Sequence, residues 1–129
     1  MALEKVMLVE DDPDIQIVAR MSLKMSGISN VVVANNGEEC LAKVEDFHPD
    51  LILLDVMMPK LDGYETCRRL KANPATQSIP VIFLTAKAQQ FEITHGMELG
   101  AIGYLVKPFD PTTLHSDILK VLAEDRGQV

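Results

Sequence analysis

The sequence predicts an α/β fold in which a parallel sheet is covered by helices on both faces, and three observations carry that prediction. Five short apolar runs alternate with five segments of helical periodicity. The runs are apolar at successive positions rather than at every second one, so both faces of the sheet must be buried. Glycine, proline, asparagine and acidic residues punctuate the junctions.

The first strand is Lys5 to Val9, whose run Val6-Met7-Leu8-Val9 stops at acids and Pro13. Pro13 suits the first turn of a helix, and Ile15, Val18, Ala19, Ser22 and Leu23 fall on one face before Gly27 ends it. Val31 to Ala34 is a β-branched second strand. Asn35-Asn36-Gly37 then turns the chain into a helix with Cys40, Leu41, Val44 and Phe47 in one stripe.

Leu51 to Leu54 forms the third strand, ending at Asp55. A loop with Pro59, Asp62 and Gly63 leads to a helix through about Lys71, which Asn73-Pro74 breaks. Val81 to Leu84 is the fourth strand, and a polar helix from Gln89 to Glu98 ends at Gly100. The fifth strand runs from Ile102 to Val106 and stops at Lys107-Pro108. Asp110-Pro111 opens a last helix with Leu114, Ile118, Val121 and Leu122 inward, and a frayed tail begins near Glu124.

At 129 residues the chain is expected to be one domain with its core at about 4–123. Apolar residues at 47% and charged residues at 24% exclude the disordered and fibrous classes. A formal charge of −7 with no basic cluster argues against direct contact with nucleic acid. No apolar run reaches the roughly 18 residues of a membrane span, and Met1 to Lys5 carries no signal-peptide pattern, so a cytoplasmic protein is expected. Cys40 and Cys67 lack neighbours at metal-ligand spacing and read as free buried thiols. The methionines read as dispersed core filler, and His48, His95 and His115 as surface residues of helices.

In an open parallel sheet, ligands bind beyond the carboxyl ends of the strands. Those ends here are Glu10, Asp11 and Asp12, then Asp55, Thr85 and Lys107. Two unit charges 4 Å apart cost about 4 kcal/mol at an effective dielectric near 20, so crowded carboxylates need compensation. Lys107 offsets one charge of the set Glu10, Asp11 and Asp55, and a divalent cation would offset the rest. With oxygen ligands only, that cation should be hard, Mg²⁺ or Mn²⁺. Such an ion completes its shell with phosphate oxygens, so the chemistry is phosphoryl transfer. Asp55 then serves as nucleophile, Lys107 neutralises charge on the transferring oxygens, and Thr85 hydrogen-bonds the product.

Four motifs in order carry a family resemblance: Leu8-Val9-Glu10-Asp11-Asp12, Leu53-Leu54-Asp55-Val56-Met57-Met58-Pro59 with Asp62-Gly63, Leu84-Thr85-Ala86, and Tyr104-Leu105-Val106-Lys107-Pro108-Phe109. Over essentially its whole length the chain resembles the receiver domains of two-component response regulators. The resemblance implies a doubly wound, flavodoxin-like sheet of order 2-1-3-4-5. It makes Asp55 the phosphorylation site and Asp11 a direct metal ligand, with Glu10 acting through water and the Met57 backbone carbonyl completing the protein's ligands. Asp12 is left as a helix-start residue. It also implies a cis Lys107–Pro108 bond and a switch in which Thr85 moves toward the phosphoryl group while Tyr104 turns inward behind it. The surface of the fourth helix, fifth strand and fifth helix then changes its binding preference.

The implied partners are a histidine kinase or histidine phosphotransfer protein and a downstream effector protein, without membrane or direct nucleic-acid binding. The chain is expected as a monomer or a phosphorylation-dependent dimer. Because it stops after the fifth helix, it is expected to stand alone without an output domain, either as an effector or as a phosphorelay intermediate. It would be a phosphoacceptor that catalyses its own phosphotransfer and dephosphorylation, not an enzyme with a dedicated substrate. Departures from the family pattern are Ile102 and Gly103 where two acids often precede the switch aromatic. Met57 and Lys87 occupy positions that tune phosphoryl loss. Two alternatives stand beside this reading. A phosphatase of the haloacid-dehalogenase type would need a second acid where Met57 stands, and an inactive receiver-like scaffold would not need the full acid, threonine and lysine set. Asp62-Gly63 reads as a turn.

Overall fold

A computed structural model of the chain describes residues 3–58, 60–86 and 89–125. Expectations that fall on Met1, Pro59, Lys87 or the tail from residue 126 lie outside the described residues. Strands β1 (Lys5–Val9), β2 (Asn30–Ala34), β3 (Leu51–Asp55), β4 (Val81–Thr85) and β5 (Gly103–Val106) all pair in parallel. Their order, β2-β1-β3-β4-β5, is the one the family resemblance implied. Helices α1 (Pro13–Met25), α2 (Gly37–Phe47), α3 (Gly63–Ala72), α4 (Gln90–Glu98) and α5 (Leu114–Asp125) occupy the crossovers and the chain's end.

Alternation along the central strands divides the core in two. Ile52 and Leu54 join Met7, Val9 and Phe83 on one face, where Cys40 and Val44 of α2 and Cys67 and Leu70 of α3 cover them. Leu51 and Leu53 join Val6, Leu8 and Leu84 on the other, beneath Ala19 and Leu23 of α1 and Leu114 and Ile118 of α5. All five residues of β3 are buried, so its four aliphatic side chains each contribute about 1.5–3 kcal/mol while its fifth, Asp55, must be compensated. Cys40 and Cys67 are free and buried, as expected.

Side-chain caps fix the helix starts that face the strand ends. Asp12, Asn36 and Asp62 accept from the backbone N–H groups of Asp14, Glu39 and Glu65, each at 2.9 Å. At the opposite ends, Gly27 with φ 94° and Gly100 with φ 108° take the left-handed conformation that stops α1 and α4.

Three expectations need correction. The last helix does not start at Asp110-Pro111: the Asp110 carboxylate captures the Thr112 N–H at 2.8 Å and its hydroxyl at 2.7 Å. That local turn competes with the helix, which begins at Leu114 and continues through Asp125. Val18 does not face inward with Ala19, Ser22 and Leu23, and Ile15 is only half-buried. Most of the described methionines are not core filler. Met7 is buried and Met58 is packed against the core, whereas Met21, Met25, Met57 and Met97 are exposed. On α1 the small inner face of Ala19, Ser22 and Leu23 already seats the helix, which leaves Ile17, Val18, Met21 and Met25 as an outer apolar stripe. Among the described residues no helix is long and apolar enough to cross a membrane.

Candidate functional site

Parallel pairing brings the carboxyl ends of four strands to one rim. Val9 is level with Leu54, Asp55 with Leu84, and Thr85 with Val106. Glu10 and Lys107 follow the ends of β1 and β5 and remain tied to the sheet. The Glu10 N–H donates to the Ala34 carbonyl at 3.0 Å, and the Lys107 N–H to the Thr85 carbonyl at 2.8 Å.

The side chains converge as the sequence predicts. Lys107 Nζ donates to Glu10 Oε1 and to Asp55 Oδ1, both at 3.1 Å. Carboxylate oxygens of Glu10, Asp11 and Asp55 lie within 4.8 Å of one another. Glu10 and Asp55 are buried, at 1% and 2% exposure, while Asp11 opens to solvent. Backbone donors add support, from the Asp12 N–H to Glu10 Oε2 at 3.1 Å and from the Met57 N–H to Asp55 Oδ1 at 3.3 Å.

Burial raises the Glu10 carboxyl above its usual value; the Asp12 N–H works against this, the Asp55 charge adds to it, and Lys107 offsets only part. Burial alone would lower the Lys107 ammonium, but its bonds to Asp55 and Glu10 and their charges outweigh that and hold it above the ordinary lysine value. One ammonium among three carboxylates leaves the set short of positive charge. Its donors are all hard oxygens, with no histidine or cysteine among them, so the residues present fit a divalent cation of the magnesium class.

The other expected residues take distinct places. Thr85 is buried at the end of β4. Met57 turns its side chain out to solvent, 79% exposed. Tyr104 is 37% exposed on the edge strand β5, over a hollow lined by Val56, Tyr64, Phe83, Thr85 and Met97. The Lys107–Pro108 bond is cis. Asp12 and Asp62 are helix caps, and the three histidines lie outside the acidic cluster.

Sequence reasoning missed Gln16. Its side-chain amide donates to the Glu10 carbonyl at 2.5 Å and to Asn35 Oδ1 at 2.8 Å, which braces the loop carrying the acid pair against the end of β2. It also missed Tyr64, whose ring meets Phe83 and His95 edge-on at 5.4 and 4.7 Å between centroids.

Comparison with known proteins agrees with this geometry. The family model described as "Response regulator receiver domain" matches residues 6–119. The chain is 43% identical over 110 residues to Protein PilG of Pseudomonas aeruginosa, covering 85% of this chain and 81% of that protein. It is 40% identical over 119 residues to the alkaline phosphatase synthesis transcriptional regulatory protein PhoP of Bacillus subtilis, covering 92% of this chain and 48% of that protein. The chain thus spans about half the length of relatives such as PhoP. Among solved structures, the chemotaxis protein CheY4 of Vibrio cholerae superposes with a TM-score of 0.86 at 32% identity, covering 93% of this chain and 99% of that one.

Proposed function

The chain belongs to the response regulator receiver family, and from that membership we propose that Asp55 is its phosphoryl acceptor, with Lys107, Thr85 and a divalent-ion site as the surrounding machinery. A receiver domain is a phosphoacceptor that catalyses its own modification, and its output is a changed surface. The observation that carries the assignment is Lys107 Nζ, held at 3.1 Å from both Asp55 and Glu10 beside an opening marked by Asp11.

Oδ1 of Asp55 accepts from Lys107 and from the Met57 N–H, so Oδ2 is the oxygen that attacks phosphorus. A P–O bond forms to Oδ2 as the bond from phosphorus to the donor's leaving atom breaks and its electron pair departs with the donor. Lys107 neutralises charge on the phosphoryl oxygens, and the Thr85 hydroxyl donates to one of them. Glu10, Asp11, Asp55 and the Met57 backbone carbonyl would hold Mg²⁺, which supplies further neutralisation of the transferring oxygens when bound. Hydrolysis returns Asp55 when water attacks phosphorus and the carboxylate leaves.

The donor in this reading is the phosphohistidine of a kinase or phosphotransfer protein. The outer stripe of α1 and the apolar hollow between Ile15, Val18, Ala86, Pro108 and Phe109 lead to Lys107 and offer such a protein its footing. Thr85 and Tyr104 form the switch. Inward rotation of Tyr104 into the hollow beside it would alter α4, β5 and α5, where Met97 and Val106 are also exposed, for an effector protein.

The test is incubation with Mg²⁺ and a small acyl phosphate, followed by intact-mass measurement. One phosphoryl group per chain is expected, dependent on Mg²⁺, prevented by a chelator added beforehand and absent in Asp55→Asn. Sustained turnover of many phosphoesters without a stable adduct contradicts the reading and favours a phosphatase.

A further inference from the structure

Gly63 begins α3 outside the left-handed region, so freedom of φ does not explain it. Space does. A Cβ built there would lie 2.2 Å from the Asp55 carbonyl oxygen, 2.9 Å from Val56 Cα and 3.0 Å from the Asp55 carbonyl carbon. Every one of these atoms is backbone, so no rotamer change relieves the contact. The Gly63 N–H also donates to the Val56 carbonyl at 3.0 Å, which seats the first turn of α3 on the peptide that follows the acceptor.

That turn is itself tightly fixed. The Asp62 side chain caps Glu65, and the Thr66 N–H and hydroxyl both donate to the Asp62 carbonyl, at 3.0 and 2.8 Å. Behind it, Gly37 at the start of α2 approaches so closely that its Cβ would meet Thr66 Oγ1 at 2.0 Å. The start of α2 therefore backs the start of α3, which backs the Asp55–Val56 peptide. The same peptide carries, on one side, the carboxylate of the acidic cluster and leads, on the other, to Met57.

From this geometry we infer that Gly63 is a positioning residue for the phosphoryl-acceptor centre: its bare Cα sets where the Asp55 carboxylate and the Met57 peptide stand relative to Glu10, Asp11 and Lys107. The inference rests on the reading of Asp55 as acceptor. Relieving a 2.2 Å contact to ordinary van der Waals distance requires a shift of about 1 Å, and a misplacement of about 1 Å at a reacting centre costs up to about a hundredfold in rate. A side chain at Gly63 thus disturbs ion affinity and transfer rate beyond any loss of stability.

The experiment follows amide NMR shifts of the full chain during titration with Mg²⁺, and separately the rate of labelling by an acyl phosphate at saturating Mg²⁺. Gly63→Ala is expected to weaken Mg²⁺ binding at least fivefold and to slow labelling at least tenfold. Gly27→Ala serves as the stability control, because its φ of 94° strains an alanine with no atom within 4 Å and no link to the site. It is expected to lower the melting temperature while both readouts stay within twofold of the parent chain. A folded Gly63→Ala variant with both readouts within twofold overturns the inference. Should that variant not fold, Thr66→Val decides, since it removes the hydroxyl bond to Asp62 with little change of shape. A threefold or greater loss of Mg²⁺ affinity supports the positioning role, and an unchanged affinity overturns it. Failure of the parent chain to bind Mg²⁺ and take up phosphate would refute the acceptor reading itself, a separate outcome.

Discussion

Replacing Lys107 by methionine keeps most of the side chain's bulk and deletes its charge, which isolates what the ammonium does. Each of its two contacts, at 3.1 Å, is worth about 5 kcal/mol of gross attraction at an effective dielectric near 20. Desolvation cancels much of that, and removing one member of a buried ion set costs on the order of 3 kcal/mol because the partner charges stay behind. Without divalent ions at pH 8, Lys107→Met should therefore melt about 10 °C below the parent chain. The deficit should shrink on acidification, since Glu10 is already biased toward protonation by burial. Mg²⁺ should bind the variant more tightly than the parent, because one more negative charge awaits compensation. At a hundredfold excess over its dissociation constant it should restore about 2.7 kcal/mol. Thermal melts with and without Mg²⁺, at two pH values, read all of this. Equal melting temperatures for variant and parent without Mg²⁺, together with equal responses to the ion, would refute the electrostatic account of the cluster.

Glu10 itself yields a pH prediction. Its folded-state pKa lies above 4.5, so the folded chain holds its proton longer than the unfolded one. Glu10 therefore contributes stability below its ordinary value and loses that contribution as pH rises through the folded value. Glu10→Gln should gain stability over the ion-free parent progressively as pH rises from 4.5, while weakening Mg²⁺ binding. Urea melts at a series of pH values that run parallel for the two chains would contradict this. Burial pushes the Cys40 thiol up to about 12 and the Cys67 thiol to about 11, so both should resist a disulfide reagent at pH 8 until the chain opens. Rapid modification of either in the folded protein would contradict the burial of the α2 and α3 faces.

Much of this architecture was legible because the strands carry their own signature. Leu51 to Leu54 is apolar at every position, which requires cover on both faces and hence a parallel sheet, and parallel strands place Glu10, Asp55, Thr85 and Lys107 on one rim. Periodicity failed on α1, whose apolar residues form two stripes. The pattern reveals both without saying which faces the sheet, and Val18 and Met21 went to solvent. The start of α5 was misplaced because a single Asp110 side chain, engaging Thr112, decides between turn and helix. Gln16 carried no signal, since its role depends on Asn35, which is remote in sequence and adjacent only after folding. Gly63 was legible as a turn residue but not as a point of contact with the Asp55 peptide, because close approach is a property of two segments together.

The most direct test of the central claim is to phosphorylate the chain with an acyl phosphate, reduce the adduct with borohydride and locate the modified residue by peptide fragmentation. Conversion is expected at Asp55 alone, dependent on Mg²⁺ and slowed in Lys107→Met. Modification at Asp11 or Asp12, or at Asp55 with no dependence on either the ion or Lys107, would contradict it.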